Sequence, residues 1–336
     1  MITEVQLPGI VEPDGLELRR RETPEVGAGQ ALVRMEATGV SFAEQQMRRG
    51  KYYDQPPFPF VPGYDVVGVI EALGSASSEF SVGQRVAAVT KTGGWADRLV
   101  VNTADLALVP DGVGAEETEA VIVNGVTARR MLAIAKVRRG DTIVVLGANG
   151  GVGSLLVQLA RHAGAQVIGV VSKRHFPYVR ELGAIPVDRS VDVGAAVRAI
   201  APNGVQAVFD HVGGPEIKKS WAMLGHGGSL VSYGSAATMK DEGNARLPVL
   251  ALVVRLLLWN FLPNGKSATF FNLWAGRRRL AQHQVAMRND LEAVFGQLAA
   301  GDITARIARA FPLSDVAGAV RYAESGSAAG KVVIIP

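Results

Sequence analysis

Short apolar runs broken by glycine and proline fill the chain up to about residue 120. Ala31-Leu32-Val33-Arg34-Met35, Val66-Val67-Gly68-Val69-Ile70 and Arg85-Val86-Ala87-Ala88-Val89 are examples. This pattern predicts a compact β-rich domain. From about residue 140 it changes: apolar strands at Thr142–Leu146, Gln166–Val171, Ile185–Asp188, Val205–Phe209 and Ser229–Tyr233 alternate with helical stretches such as Val179–Leu182, Val193–Ile200 and Ile217–Leu224. Strands separated by helices predict an α/β domain with a doubly wound parallel sheet. Ser267–Trp274 reads as a late, apolar edge strand, which pairing with a second subunit would cover. A helix from about Arg288 to Ala300 follows, and Lys331–Ile335 closes the chain as a strand that rejoins the first domain. The domains expected are 1–122 with 286–336, and 123–285. No internal repeat or low-complexity tract interrupts them.

Leu247–Leu262 breaks the alternation. It is apolar almost throughout, yet it carries Arg255 and is shorter than a membrane span. It reads as a buried or pocket-covering helix, with contact to a membrane surface as the alternative.

The 336 residues suffice for two cores, and 48% hydrophobic with 20% charged residues is ordinary for a globular chain. Lys and Arg number 35 against 31 acidic residues, a net charge of +4. That excess is too small to imply nucleic acid, and Arg19–Arg21 and Arg277–Arg279 read as solvated surface. The chain has no cysteine, which removes disulfides, thiolate zinc sites and cysteine nucleophiles. Met1-Ile2-Thr3-Glu4-Val5 lacks the regions of a signal peptide, so a cytoplasmic location is expected.

The chemistry concentrates in Val144-Val145-Leu146-Gly147-Ala148-Asn149-Gly150-Gly151-Val152-Gly153. An apolar strand meets a glycine turn, and Val152, Leu155, Leu156, Leu159, Ala160 and Ala163 follow at helical spacing. Strand, tight turn and helix N-terminus in that order form an anion site, and a dinucleotide is the first candidate ligand. An NAD site needs a carboxylate at the end of the second strand to hold the ribose. Here that place reads Val171-Ser172-Lys173-Arg174. Two cations and a hydroxyl suit a 2′-phosphate and favour NADPH; the bland alternative is a pair of exposed loop charges.

With these residues assembled, the chain resembles the medium-chain dehydrogenase/reductases, in their zinc-free, quinone oxidoreductase-like branch. Ala37–Glu44, Phe60–Gly68, the glycine turn, Phe209-Asp210-His211-Val212-Gly213 and Gly330-Lys331-Val332-Val333 carry the resemblance. Phe271-Asn272-Leu273-Trp274 is similar to the vesicle amine transport protein-like subgroup. The resemblance implies a Rossmann domain beside a GroES-like domain. Where the zinc alcohol dehydrogenases carry a cysteine and a histidine, this chain has Ser41 and Tyr64, poor substitutes as zinc ligands. The family likeness then implies hydride transfer to a quinone or an α,β-unsaturated carbonyl, with the carbonyl held by hydrogen-bond donors.

Candidate donors are Ser41, Tyr52, Tyr53 and Tyr64, each tyrosine being equally readable as packing. Ser41 replaces the family's usual asparagine, which leaves more room and one donor fewer. Likeness to the family places Thr127, Asn149, Gly150, Gly151, Val152, Ser172, Lys173, Arg174, Val212, Tyr233 and Lys331 on the cofactor, and Gly63 and Asp65 in a structural role. Arg189 stands where many relatives have a tyrosine; it reads either as a 2′-phosphate contact or as a surface charge. The subunits are expected to pair as a homodimer through Ser267–Trp274. Two other readings stand beside this one: a biosynthetic enoyl or ketone reductase whose 238–266 insertion roofs a pocket for a large apolar metabolite, and a cofactor-binding, membrane-associated protein with little catalysis.

Overall fold

The computed structural model describes residues 1–52, 54–77, 79–234 and 246–336. In chain order its elements are β1 (Ile2–Gln6), β2 (Glu17–Arg21), β3 (Gln30–Val40), α1 (Phe42–Arg48), β4 (Asp65–Leu73), β5 (Arg85–Val89), β6 (Arg98–Asn102), β7 (Ala107–Leu108) and α2 (Ala115–Ala135). They continue as β8 (Thr142–Leu146), α3 (Gly151–His162), β9 (Gln166–Val171), α4 (Phe176–Glu181), β10 (Ile185–Asp188), α5 (Val193–Ile200), β11 (Val205–Asp210), α6 (Ile217–Ala222) and β12 (Leu224–Ser232). The last are α7 (Arg246–Trp259), β13 (Ser267–Phe270), α8 (Leu280–Ala299), β14 (Ile307–Pro312), α9 (Val316–Glu324) and β15 (Lys331–Ile335). Contacts divide the chain into two compact units, Met1–Val126 with Gly276–Pro336, and Thr127–Ala275.

The first unit is built from both ends of the sequence. Its seven-stranded sheet runs β14-β15-β3-β4-β5-β7, with β6 also on β3. β3 is long because it serves two partners on one edge: Gln30–Arg34 pair with β6 and Thr38–Val40 with β15. Only Ala31–Met35 stand out in the sequence, because Glu36, Thr38 and Gly39 end the apolar run. Alternate residues of these strands, among them Val33, Met35, Val66, Ile70, Val86, Val332 and Ile334, fill one core with Trp95 and Leu106. Burial of such side chains stabilises by roughly 1.5–3 kcal/mol each.

The second unit is a six-stranded parallel sheet in the order β10-β9-β8-β11-β12-β13. Apolar residues of β8 to β12 lie buried together, including Val144, Ile168, Val208 and Leu230, as expected where helices cover a parallel sheet. The strand order reverses between β8 and β11, and such a reversal opens a crevice at the carboxyl ends of those strands.

Two expectations change. The apolar stretch at 247–262 forms α7, but only Leu252 and Leu256 are buried, while Leu247, Leu250, Val254, Leu257 and Leu258 are exposed. One side of the helix packs toward the sheet and the other has no cover within the unit. The start of the 238–266 insertion, up to residue 245, lies outside the described residues. The Ser267–Trp274 strand ends at Phe270, because the Asn272 side chain accepts the Trp274 N–H at 2.9 Å and turns the chain. Among the described residues no helix is long and apolar enough to cross a membrane.

Candidate functional site

In the parallel-sheet unit the glycine turn follows β8 directly. Gly147 has φ +68°, a left-handed conformation that favours glycine. The Gly150 N–H donates to the Gly147 carbonyl at 3.0 Å and closes the turn. A Cβ on Gly153 would lie 2.2 Å from the Gly147 carbonyl oxygen, so helix α3 reaches the strand only with glycine there. On Gly150 a Cβ would meet only that same oxygen, at 3.4 Å: the outer side of the turn is open. No side chain caps α3 at Gly150. Its first N–H groups and the positive end of its dipole are thus left for an anion. Asn149, Gly150, Gly151 and Val152 form this open lip.

His211, which the sequence reading passed over, supports the turn from beneath. Its Nδ1 lies 3.0 Å from the Leu146 carbonyl oxygen, and its ring fills the space that a Cβ on Gly147 would need. Burial lowers the pKa of the ring, against the opposing pull of Asp210 and the Leu146 carbonyl. The imidazole is therefore held toward its neutral form, with Nδ1–H as donor. Its only signal in the sequence is its place in Phe209–Gly213, at the end of the strand across the reversal. Asp210, 1% exposed, accepts the N–H groups of Val212 and Gly213 at 2.7 and 2.9 Å and the Ser220 hydroxyl at 2.5 Å. The Tyr233 N–H donates to the Asp210 carbonyl. Burial, then the Asp210 charge, raise the Tyr233 phenol far above its ordinary value, so it stays protonated. Val212 is thus fixed by the Asp210 carboxylate and Tyr233 by the Asp210 backbone carbonyl.

Ser172 is half-buried at the end of β9, and Lys173, Arg174 and Arg189 are exposed beside it. In the sequence no acid directly follows this strand. The structure supplies one from the next strand: Asp188 pairs in register with Val171, and its carboxylate lies 3.8 Å from the Lys173 ammonium. Two hydrogen bonds from Ser190, then the Lys173 and Arg189 charges, lower its pKa. The Arg174 Nε donates to the His175 Nε2 at 3.0 Å. Thr127 is 7% exposed on α2.

In the β-rich unit Ser41 caps α1. Its N–H donates to the Glu44 carboxyl at 2.9 Å, its hydroxyl also meets that carboxyl, and its Oγ accepts the Ala43 N–H at 3.2 Å. The other Glu44 oxygen accepts the Tyr64 N–H at 2.7 Å. The Tyr64 and Tyr52 hydroxyls lie 2.7 Å apart, and their rings meet edge to face. Ser41, Tyr64 and Tyr52 therefore share one network joined through Glu44, whose place sequence reasoning missed. Tyr53 lies outside the described residues.

Behind this network lie Asp65 and Glu119, both 0% exposed, and Lys331. The Lys331 ammonium is not at the surface: it sits 2.9 Å from Glu119 and 3.6 Å from Asp65. Lys331, expected on the cofactor, thus has its charge committed to carboxylates inside the unit. Burial pushes its pKa down, but Asp65, Glu119 and Glu44 outweigh burial and raise it. Glu119 is raised well above its ordinary value by burial, against Lys331 and with Asp65. Gly39 makes the room, since a Cβ there would meet Glu119 and Lys331 at 2.0 and 2.2 Å.

Two family models match the chain: the alcohol dehydrogenase GroES-like domain over residues 27–115 and the zinc-binding dehydrogenase over 182–334. The human synaptic vesicle membrane protein VAT-1 homolog is 30% identical over 96% of this chain and 82% of its own length. A 2-haloacrylate reductase of a Burkholderia species is 28% identical over 96% of both chains. Among solved structures, a mycobacterial protein complexed with NADPH superposes with a TM-score of 0.84 at 27% identity, and a Pseudomonas syringae quinone oxidoreductase with 0.85 at 27%; each alignment covers 100% of both chains. The chain belongs to the medium-chain dehydrogenase/reductase family. Its VAT-1 homologs and quinone oxidoreductases are relatives within that family. The zinc named in the second family model calls for thiolate and imidazole donors. Ser41 and Tyr64 offer a hydroxyl already bonded to Glu44 and a phenol bonded to Tyr52, and the chain has no cysteine. This donor set does not fit that centre.

Proposed function

We propose that the chain is an NADPH-dependent reductase of α,β-unsaturated carbonyl compounds or quinones. The observation that carries the reading is the open, uncapped N-terminus of α3 at the strand-order reversal, with Lys173, Arg174 and Arg189 exposed at the end of the neighbouring strands. Asn149, Gly151 and Val152 would hold the pyrophosphate by backbone N–H groups, with Gly150, whose own N–H closes the turn, leaving it room to approach. Ser172, Lys173, Arg174 and Arg189 would hold the 2′-phosphate. Val212, Tyr233 and Thr127 would line the rest. NADPH, when bound, supplies a hydride to the electron-poor carbon of a conjugated carbonyl. The chain's own part is to orient that carbonyl by hydrogen bonds, with Ser41 first and the Tyr52–Tyr64 pair beside it. Solvent supplies the proton, and no step is routed through zinc. The relatives whose names state quinone and 2-haloacrylate substrates support a conjugated acceptor.

The test is NADPH oxidation with a panel of quinones and enones. Turnover of at least one class is expected; tight NADPH binding without turnover of any member overturns the reading. Replacing Lys173 and Arg174 with Ala should weaken NADPH roughly tenfold or more for each charge-assisted bond lost and leave NADH unchanged. An unchanged preference would mean that other residues, Arg189 among them, read the 2′-phosphate. The chain is further proposed to pair with a second copy through the β13 edge.

A further inference from the structure

Ser41 has one hydroxyl proton and several claims on it. Its Oγ already accepts the Ala43 N–H, and it also lies against Glu44. If Glu44 is ionised, it can only accept, and the Ser41 proton points into Glu44. If Glu44 carries a proton, it donates to Oγ, and the Ser41 proton is released to point elsewhere. We propose that Glu44 is a positioning residue that turns Ser41 into an outward hydrogen-bond donor only while Glu44 is protonated. This rests on the reading of Ser41 as the group that holds the substrate carbonyl.

The surroundings favour the proton. Glu44 is 3% exposed. Three carboxyl groups, Glu44 from α1, Asp65 from β4 and Glu119 from α2, share one ammonium, Lys331 from β15. A single cation cannot neutralise three buried carboxylates, so protons must make up the balance. Burial raises the Glu44 pKa; Lys331 works against it, Asp65 adds to it, and the Ser41 bond works against it. The Tyr64 N–H faces its other oxygen. Arg48 on the same helix is committed to Glu324, Glu12 and the Val11 carbonyl and so brings no cation to Glu44. An S-x-x-E pair at a helix start is by itself a capping box. What sets this one apart is the burial of its glutamate among further acids.

Infrared titration of the purified protein tests the proton without substrate. The wild type should show a protonated-carboxyl band that survives above the ordinary glutamate range of about pH 4.3. Glu44→Gln should remove one component of it, and Glu119→Gln another. No loss in Glu44→Gln overturns the proposal. If Glu44→Gln does not fold, the band left in the Glu119→Gln, Asp65→Asn double variant decides: a band that persists above that range supports the proposal, and its absence overturns it. The second arm is the pH profile of kcat/KM for 2-cyclohexenone with NADPH. Wild-type activity should fall severalfold as the Glu44 component titrates away, and Ser41→Ala should be slow and lack that limb. A limb that persists in Ser41→Ala overturns the proposal. If the infrared result stands and neither 2-cyclohexenone nor any quinone is reduced, the functional reading fails and the placement of the proton survives.

Discussion

Lys331 is the cation on which three buried acids depend, which makes it the most exposed residue energetically although it is hidden sterically. Removing one partner of a buried ion cluster leaves uncompensated charge and costs roughly 3–5 kcal/mol. Lys331→Met should therefore lower the unfolding free energy by about that amount in denaturant titration. The pH dependence has a definite sign. Lys331 lowers Glu44 and Glu119 against burial, so its loss raises both further. A carboxyl raised in the folded state contributes stability below its unfolded pKa and loses it as pH rises through the folded value. The deficit of the variant should be smallest in acid and should grow only as pH rises through the raised wild-type values of Glu44 and Glu119; a deficit independent of pH would contradict this. Family resemblance picks out Lys331 and Asp65 in the sequence, yet it places the lysine on a cofactor. Glu119 carries no signal of its own, because only the fold of α2 brings it to Gly39 and Lys331. Glu44 is visible as a cap, but its burial is not.

At the scale of elements, the glycine turn separates packing from binding. Gly153→Ala forces a methyl into the Gly147 carbonyl and should lower Tm and weaken NADPH together. Gly150→Ala meets only the Gly147 oxygen, at ordinary contact distance, so Tm should hold while NADPH binding weakens roughly tenfold, because the methyl stands where a phosphate would approach. Loss of stability in Gly150→Ala, or unchanged NADPH affinity, would count against the turn as the phosphate site. The parallel strands are legible in the sequence: β8, β9 and β10 stand where the apolar runs stand, since both faces of such strands are buried. Helix α2 is not, because apolar residues such as Val121, Ile122, Val126 and Met131 are buried around more than one side and no stripe forms. Helix α8 starts at Leu280 rather than near Arg288. Its first turns expose Leu280 and Val285 and bury His283, which blurs the period there.

For the whole molecule, β13 ends its sheet, with the Asn260 side chain bonding the Ala268 N–H and carbonyl, and in the same unit α7 leaves apolar surface beyond what one chain covers. Thr269→Asp, in the middle of the four-residue β13, should convert a dimer to monomers in analytical ultracentrifugation. A wild type that is already monomeric would refute pairing through this edge. Liposome cosedimentation of the monomeric variant decides whether the α7 face instead meets lipid.

The placement of β15 also bears on the order of assembly. Thr127–Ala275 is one continuous stretch, so it can close its sheet while synthesis continues. The β-rich unit cannot. Until residues 331–335 emerge, the Thr38–Val40 edge of β3 lacks its partner, and Asp65 and Glu119 wait without their counter-ion. A nascent chain is thus committed to finishing the parallel-sheet unit first and the β-rich unit last. The unpartnered edge and the uncompensated acids make that interval the point at which a growing chain is most open to misassembly.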